Sequence, residues 1–450
     1  MPAARATRQS WLFWIIAVLV YVAAVFHRST LGVAGLEASH RFGVGPAALS
    51  TFTVLQVAVY AIMQVPTGLL VDRFGPRITL TLAAVLLGSG EIAFGLAHSY
   101  PLGLLARGVL GVGDAMTWVS VLRVLAGMFP VRNYPLLVAL SSMLGGLGNL
   151  AATIPLTLVL GHFGWTTTFV LAGLLSAGYG ALVATSLRVP ARHAGDGAPP
   201  AHPIGVRDVL RGVRVSWRVP GTRLGFWVHF ATMVSPTTLG LLWGYPFLVQ
   251  AEHLSAVDAG EVLAVLVFVG VLANPLVGAI TSRHREARMP IVAGALVAAV
   301  AVWSVLLTDP TPLPVGLLMV AFGLLAVGSP ISAVGFALAR DYNPMHRVGT
   351  ATGVVNVGGF TATTVAALAV GLLVGAIGTA TPTQAALAYR VGLLAVVTVL
   401  LLGCWRVAVW LRRARAAVFA AELRGEDVPV QLRRHRWDAS VEAAAVLVAA

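Results

Sequence analysis

The sequence predicts an all-α integral membrane protein with twelve transmembrane helices in two six-helix halves. Three observations carry this. Hydrophobic residues make up 58% of the 450 residues and charged residues only 10%, where about 25% charged is ordinary for a soluble domain. The mean hydropathy of +0.87 puts most of the length in lipid. Apolar stretches of about 20 residues, enough to cross hydrocarbon, recur along the chain with Pro, Gly and Arg as punctuation.

Taken in order, the expected spans are 11–36, 46–70, 78–98, 101–126, 135–160 and 165–187, then 223–249, 259–281, 290–308, 313–338, 348–376 and 386–410. The first bundle occupies 1–187 and the second 223–410, with a cytoplasmic linker at 188–222 and a cytoplasmic tail at 411–450. Arg5 and Arg8 precede an apolar run that imitates a signal peptide. That run outlasts signal-peptide length and shows no small-residue cleavage site, so an uncleaved first span is expected. In the linker, Pro199, Pro200 and Pro203 precede Arg207, Arg211, Arg214 and Arg218. Arginines three and four apart predict a short amphipathic helix lying on the anionic inner leaflet.

Arginine placement sets the orientation. One side holds Arg5, Arg8, Arg73, Arg77, Arg132, the linker, Arg283, Arg285, Arg288, Arg340, Arg347 and the tail. The other side offers Arg41 and Arg390 beside Glu37, Glu252, Asp258, Glu261 and Asp309. Basic loops stay cytoplasmic, so both termini are expected inside a bacterial-type cell membrane. All 30 basic residues are arginine. In a soluble chain the resulting pI of about 11.1 would suggest nucleic acid; here topology accounts for it, and no nucleic-acid partner is expected. Cys404 stands alone, so no internal disulfide can form. No nucleotide-binding loop, metal-ligand cluster or nucleophile–base pair appears, so the chain is expected to run on an ion gradient, with no cofactor or metal. A monomer is expected.

The run Gly68-Leu69-Leu70-Val71-Asp72-Arg73-Phe74-Gly75-Pro76-Arg77 is the most specific motif. A charge at the bilayer centre costs about 2.5–3.5 kcal/mol or more, so this run belongs at a membrane face. Its pattern, G-x-x-x-D-R-x-G-x-R, resembles the loop between helices 2 and 3 of the major facilitator superfamily of secondary transporters. The resemblance implies that fold over the whole chain, and solute movement by alternating access. In such a loop Gly68 and Gly75 permit close packing and a tight turn. Asp72 can meet a helix dipole or an arginine of the other half in one conformation and release it in the other, with Arg73 and Arg77 beside it. Gly278 through Arg288 is a basic copy in the second half that lacks the aspartate.

Ionisable residues inside the membrane are functional candidates. Arg28 closes the run Tyr21-Val22-Ala23-Ala24-Val25-Phe26-His27-Arg28 in span 1. A tyrosine seven residues before an arginine here resembles the organophosphate and organic-anion branches, which implies that Arg28 binds an anion in the central cavity. Arg107-Gly108-Val109-Leu110-Gly111-Val112-Gly113-Asp114-Ala115 resembles the superfamily's R-x-x-x-G-x-G-x-A motif in span 4. Seven residues put Arg107 and Asp114 on one helix face about 10 Å apart. The same separation in the anion:cation symporter branch implies that Arg107 lines the substrate pathway and Asp114 is a proton site. A purely structural role, the acid neutralising the arginine, stays open. Glu91, among Gly88, Gly90 and Gly95, is a proton carrier or a helix partner. His27 carries a proton or donates a hydrogen bond to a facing helix.

Tyr60 and Asn356 are expected on the substrate wall, with Gln56, Gln64 and Asn149 as further cavity candidates. Span 7 has no interior arginine where the organophosphate branch has a second one, which favours a singly charged anion. Span 5 lacks the G-P-x-x-G-G signature of the drug antiporters. Ser235-Pro236, Asn274-Pro275 and Ser329-Pro330 break helical hydrogen bonding and supply weak points. Together these residues suggest a proton-coupled symporter for a small anion. Two alternatives remain: an efflux antiporter for a drug or metabolite, and a transporter-like solute sensor signalling through the tail cluster Arg433-Arg434-His435-Arg436.

Overall fold

A computed structural model describes residues 7–129, 134–186, 206–308, 312–344, 347–426 and the single positions 428, 430, 432 and 438. Arg5, Arg132, the proline-rich part of the linker, Asp309 and the cluster Arg433-Arg434-His435-Arg436 lie outside them, as does the side chain of Asp72. Among the described residues, ten helical stretches are long and apolar enough to cross a membrane. Two expected spans are missing from that set for local reasons. Spans 5 and 6 merge into one stretch, Leu140–Ser186, bent at Gly164 with φ 72°. Span 7 is interrupted: the helix Pro220–Thr238 gives way to π-helical turns at Leu239–Trp243 and Phe247–Ala251. Pro236 and Pro246 lack the amide donor that would continue an α-helical ladder, and π-bulges absorb such gaps.

Span 1 begins at Arg8, where Thr7 accepts a hydrogen bond from the Ser10 amide at 3.2 Å. It runs as Arg8–Ser29 and Leu31–Phe42, broken at Thr30. The Thr30 hydroxyl donates to the His27 carbonyl at 3.1 Å, and Arg107 Nη1 donates to the same oxygen at 3.3 Å. Two side chains thus compete for a carbonyl that the helix would use, while the Thr30 backbone itself stays helical at φ −56° and ψ −38°.

Spans 2 and 3 form one path, Pro46–Leu96, bent at Gly75 with φ 76° and ψ 164°. The expected charged loop is therefore a sharp elbow. Helix continues through Arg73, Gly75 turns the chain, and Pro76 restarts the helix where a missing amide costs nothing. Arg77 reaches across to span 6, its Nε donating to the Ala184 carbonyl at 2.8 Å. In the second half Arg288 pairs instead with Asp341 at 2.5 Å. Span 10 is pieced from Val315–Ala326, Gly328–Ile331 and Ala333–Tyr342 around Pro330. The linker arginines lie in a helix, Val206–Arg218, whose Gly212 faces Thr350 at the start of span 11. Span 12, Pro382–Leu423, outruns its expected end at 410, and Asp438 folds back onto Arg415, with Nε to Oδ1 at 2.7 Å.

Among the described residues, the two halves share a core on the side remote from the elbow. Leu31, Phe42, Phe52 and Trp165 of the first half join Leu239 and Val370 of the second in one buried apolar cluster. These residues sit at span ends remote from the Arg73–Arg77 elbow. A second cluster, with Phe13, Leu80, Met116 and Val183, belongs to the first half alone and lies on the elbow side. At the shared seal, span 1 crosses span 7 so closely that a Cβ on Gly32 would fall 2.3 Å from the Gly240 carbonyl oxygen. The remote arginines serve this side as caps. Arg41 donates to the Ala97 and Gly95 carbonyls at 2.9 Å each, and Glu252 accepts from the Leu313 amide at 2.7 Å with Arg390 4.0 Å away.

Candidate functional site

Between the halves lies a cavity of about 420 Å³, within the usual range for small-molecule sites. Tyr21, Arg28, Tyr60, Trp118 and Asn149 face it from the first half. From the second half come His229, Met233, Phe336, Asn356 and Phe360. Arg28 projects from the last turn before the span 1 break and is the one guanidinium among the described lining residues. Its Nε and Nη2 donate to Asp114 Oδ2 and Oδ1 at 2.7 and 2.6 Å, a two-pronged pairing that is among the strongest side-chain contacts. The Arg28 side chain keeps 17% exposure while Asp114 has none. Arginine therefore shields the acid from the cavity. The Tyr60 ring lies 4.7 Å from the guanidinium and 5.0 Å from the Phe360 ring of the other half, so the cation rests on an aromatic face at the junction of the bundles.

A second polar group sits behind this wall. His27 precedes Arg28 and points the opposite way: Nε2 meets Ser176 Oγ at 2.7 Å and Nδ1 lies 3.3 Å from Glu91 Oε1. Arg107 is fully buried, its guanidinium 5.2 Å from the Phe94 ring and within electrostatic reach of Glu91 and Asp114. Beyond its contact to His27 O, its Nη1 is 3.4 Å from Thr30 Oγ1. Among the described residues, Arg107 Nε and Nη2 and both Glu91 oxygens find no hydrogen-bond partner. Two glycine-spaced helices, spans 3 and 4, bring these charges together against span 1.

The structure thus puts Arg28 and Tyr60 at the cavity, with Asn356 on the opposite wall and Asp114 fully buried behind Arg28. It sets His27, Glu91 and Arg107 behind that wall, outside the cavity lining, so Arg107 does not face the solute space. Gly68, Arg73, Gly75 and Arg77 form the elbow, far from the cavity. Of the further candidates Asn149 lines the space, whereas Gln56 is buried and Gln64 turns to the Tyr60 carbonyl at 3.4 Å. Trp118, Met233, Phe336 and Phe360 are wall residues that the sequence did not single out. An apolar residue in an apolar span carries no signal of which way it points. His229 was legible as the polar residue standing where a span 7 arginine was sought.

The Major Facilitator Superfamily profile matches residues 13–329 and, overlapping, 230–449. The chain belongs to that superfamily. As a Major Facilitator Superfamily member it is a multi-pass membrane transporter and not an enzyme. The "Probable galactarate/D-glucarate transporter GudP" of Escherichia coli (strain K12) is 25% identical over 405 residues, covering 81% of this chain and 88% of that protein. The "Probable sulfoacetate transporter SauU" of Cupriavidus necator is 24% identical over 275 residues, 60% of this chain and 64% of that one. A solved bacterial homologue of the human lysosomal transporter Spinster, inward-facing and occupied, superposes with a TM-score of 0.72 at 15% identity, over 90% of this chain and 98% of that one. This last likeness is one of fold.

Proposed function

We propose that the protein is a proton-coupled symporter of a small anion, working by alternating access between the two bundles. The observation that carries this is the Arg28–Asp114 pair, poised at the cavity with the acid behind the arginine. With Asp114 ionised the two charges cancel and Arg28 has both prongs engaged. A proton on Asp114 removes its charge and frees the guanidinium to turn toward the cavity, where an anion can take the vacated hydrogen bonds. The anion and the proton therefore favour one another's binding, and that mutual preference is the requirement for symport. The named cargoes of the two relatives, galactarate, D-glucarate and sulfoacetate, are all anions, which supports the sign of the charge.

Glu91 with His27 acts in this reading as a second proton site, reached through the broken turn of span 1. Arg107 positions that turn by holding the His27 carbonyl. Tyr60 and Asn356 contact the solute from either side. The seal remote from the elbow and the separate cores beside it fit an inward-facing state with both termini, the linker and the tail in the cytoplasm. A charged elbow with Gly68, Asp72, Arg73, Gly75 and Arg77 would then reset the other state. The chain works as a monomer.

The test is Asp114→Asn, which holds the site in its protonated charge state. In wild-type protein, anion affinity should strengthen as pH falls, by at most about tenfold per pH unit for one linked proton. In the variant affinity should persist and lose its pH dependence, while gradient-driven uptake into proteoliposomes stops. A variant whose affinity still follows pH as the wild type does would exclude Asp114 as the coupling acid.

A further inference from the structure

We infer that the cargo is an amphipathic monoanion, one carboxylate or sulfonate carried on an apolar body, rather than a polyhydroxylated dianion. The inference rests on the anion reading above and narrows it. Its first support is charge. Arg28 is the one permanently charged side chain among the described residues lining the cavity, and Asp114 already balances it. Even with Asp114 protonated, the described wall offers a single permanent positive charge, with the His229 imidazole as its one other basic group. A second carboxylate on the solute would enter without a partner, and an unpaired charge removed from water is strongly disfavoured.

The second support is the wall facing Arg28. Met233, Leu241, Leu266, Val267, Phe336 and Phe360 present hydrocarbon and aromatic faces from the second half. Hydroxyls interspersed among them turn away from the cavity toward their own helices. Thr237 donates to the Met233 carbonyl at 2.6 Å, Thr363 to Gly359 at 2.9 Å and Ser332 to Ser329 at 2.6 Å. Thr237 and Thr363 also meet across spans 7 and 11, where one hydroxyl can donate to the other in place of its carbonyl. What these residues show the solute is chiefly methyl and methylene. A chain of hydroxyl groups set against such a wall would surrender its water without equivalent hydrogen bonds in return. An alkyl or aryl body gains instead along this wall, and polar substituents are left to the amides of Asn274 and Asn356 and to the first-half groups Tyr21, Tyr60 and Asn149.

The experiment is calorimetric titration of the full-length protein in lipid nanodiscs with butanoate, hexanoate, octanoate, phenylacetate and galactarate. Affinity should rise about fourfold for each added methylene until the wall is covered, with phenylacetate tighter than galactarate. Met233→Gln, of similar length but polar, should flatten that slope. The double variant Arg28→Ala with Asp114→Asn leaves no orphan charge and should abolish binding of every monoanion; it also accounts for partition into the lipid. Galactarate binding more tightly than hexanoate, and lost in the double variant, would overturn the amphipathic cargo and leave the anion reading standing. If no probe binds, or if binding survives in the double variant, both ideas fall.

Discussion

At the scale of single residues, the two acids of the first half differ in what they leave behind when neutralised. Asp114→Asn deprives Arg28 of its partner, but Arg28 is 17% exposed and can turn into the water of the cavity. Glu91→Gln removes a carboxylate that acts on Arg107 through space and meets His27 directly, and Arg107 is wholly buried with no such exit. A buried charge left without compensation is destabilising, so Glu91→Gln should lower the thermal melting midpoint in detergent below that of Asp114→Asn. The reverse order of midpoints would mean that Glu91 and Arg107 are not mutual counter-charges. Here the sequence was informative in part. Charge within an apolar span marked Arg28, His27, Glu91, Arg107 and Asp114, because lipid makes each of them costly. Spacing along one helix could not say which acid meets which arginine. Arg107 and Asp114 do share a face, yet both turn to span 1, one to a carbonyl and the other to a guanidinium.

At the scale of elements, the helix 2–3 elbow depends on one backbone geometry. Gly75 has φ 76° and ψ 164°, a region that side chains with a Cβ occupy at a cost of about 1–3 kcal/mol. The space around a Cβ there is open, so Gly75→Ala tests the backbone alone. It should lower stability by about that amount, with Gly68→Ala, on regular helix with open surroundings, costing less. Melting of both variants in detergent checks the ranking, and equal midpoints would refute it. Glycine beside charge between two apolar runs announced this turn. The breaks in spans 1 and 7 were harder to read. Span 1 looks continuous because the side chain that takes up its His27 carbonyl comes from Arg107, 80 residues away. In span 7 the prolines were visible, but the π-helical route around them was not.

At the scale of the whole molecule, the bundles meet through a seal on the side remote from the elbow, and alternating access requires that seal to open. Gly32 is the position where the spans approach most tightly, against the Gly240 carbonyl. Gly32→Val should wedge the seal and shift the population toward the state open on that side. Spin-label distances across the Phe42 end of span 1 and the end of span 11 should lengthen, and accessibility of cysteines near the elbow should fall. Unchanged distances would show that the seal yields by local shifts instead. Composition and the recurring apolar runs were enough for the all-helical membrane architecture. They could not reveal which side is shut, since both states use the same spans and differ only in which side chains touch. Span 12 offers a way to watch the exchange. It is a continuous 42-residue helix, about 63 Å long at 1.5 Å per residue, roughly twice the thickness of the hydrocarbon. Its last turns are rigidly joined to the second bundle, so they act as a pointer: a small tilt at the cavity becomes a wide sweep at Leu423. A fluorophore attached there would report each transport cycle from the aqueous side, without touching the solute path.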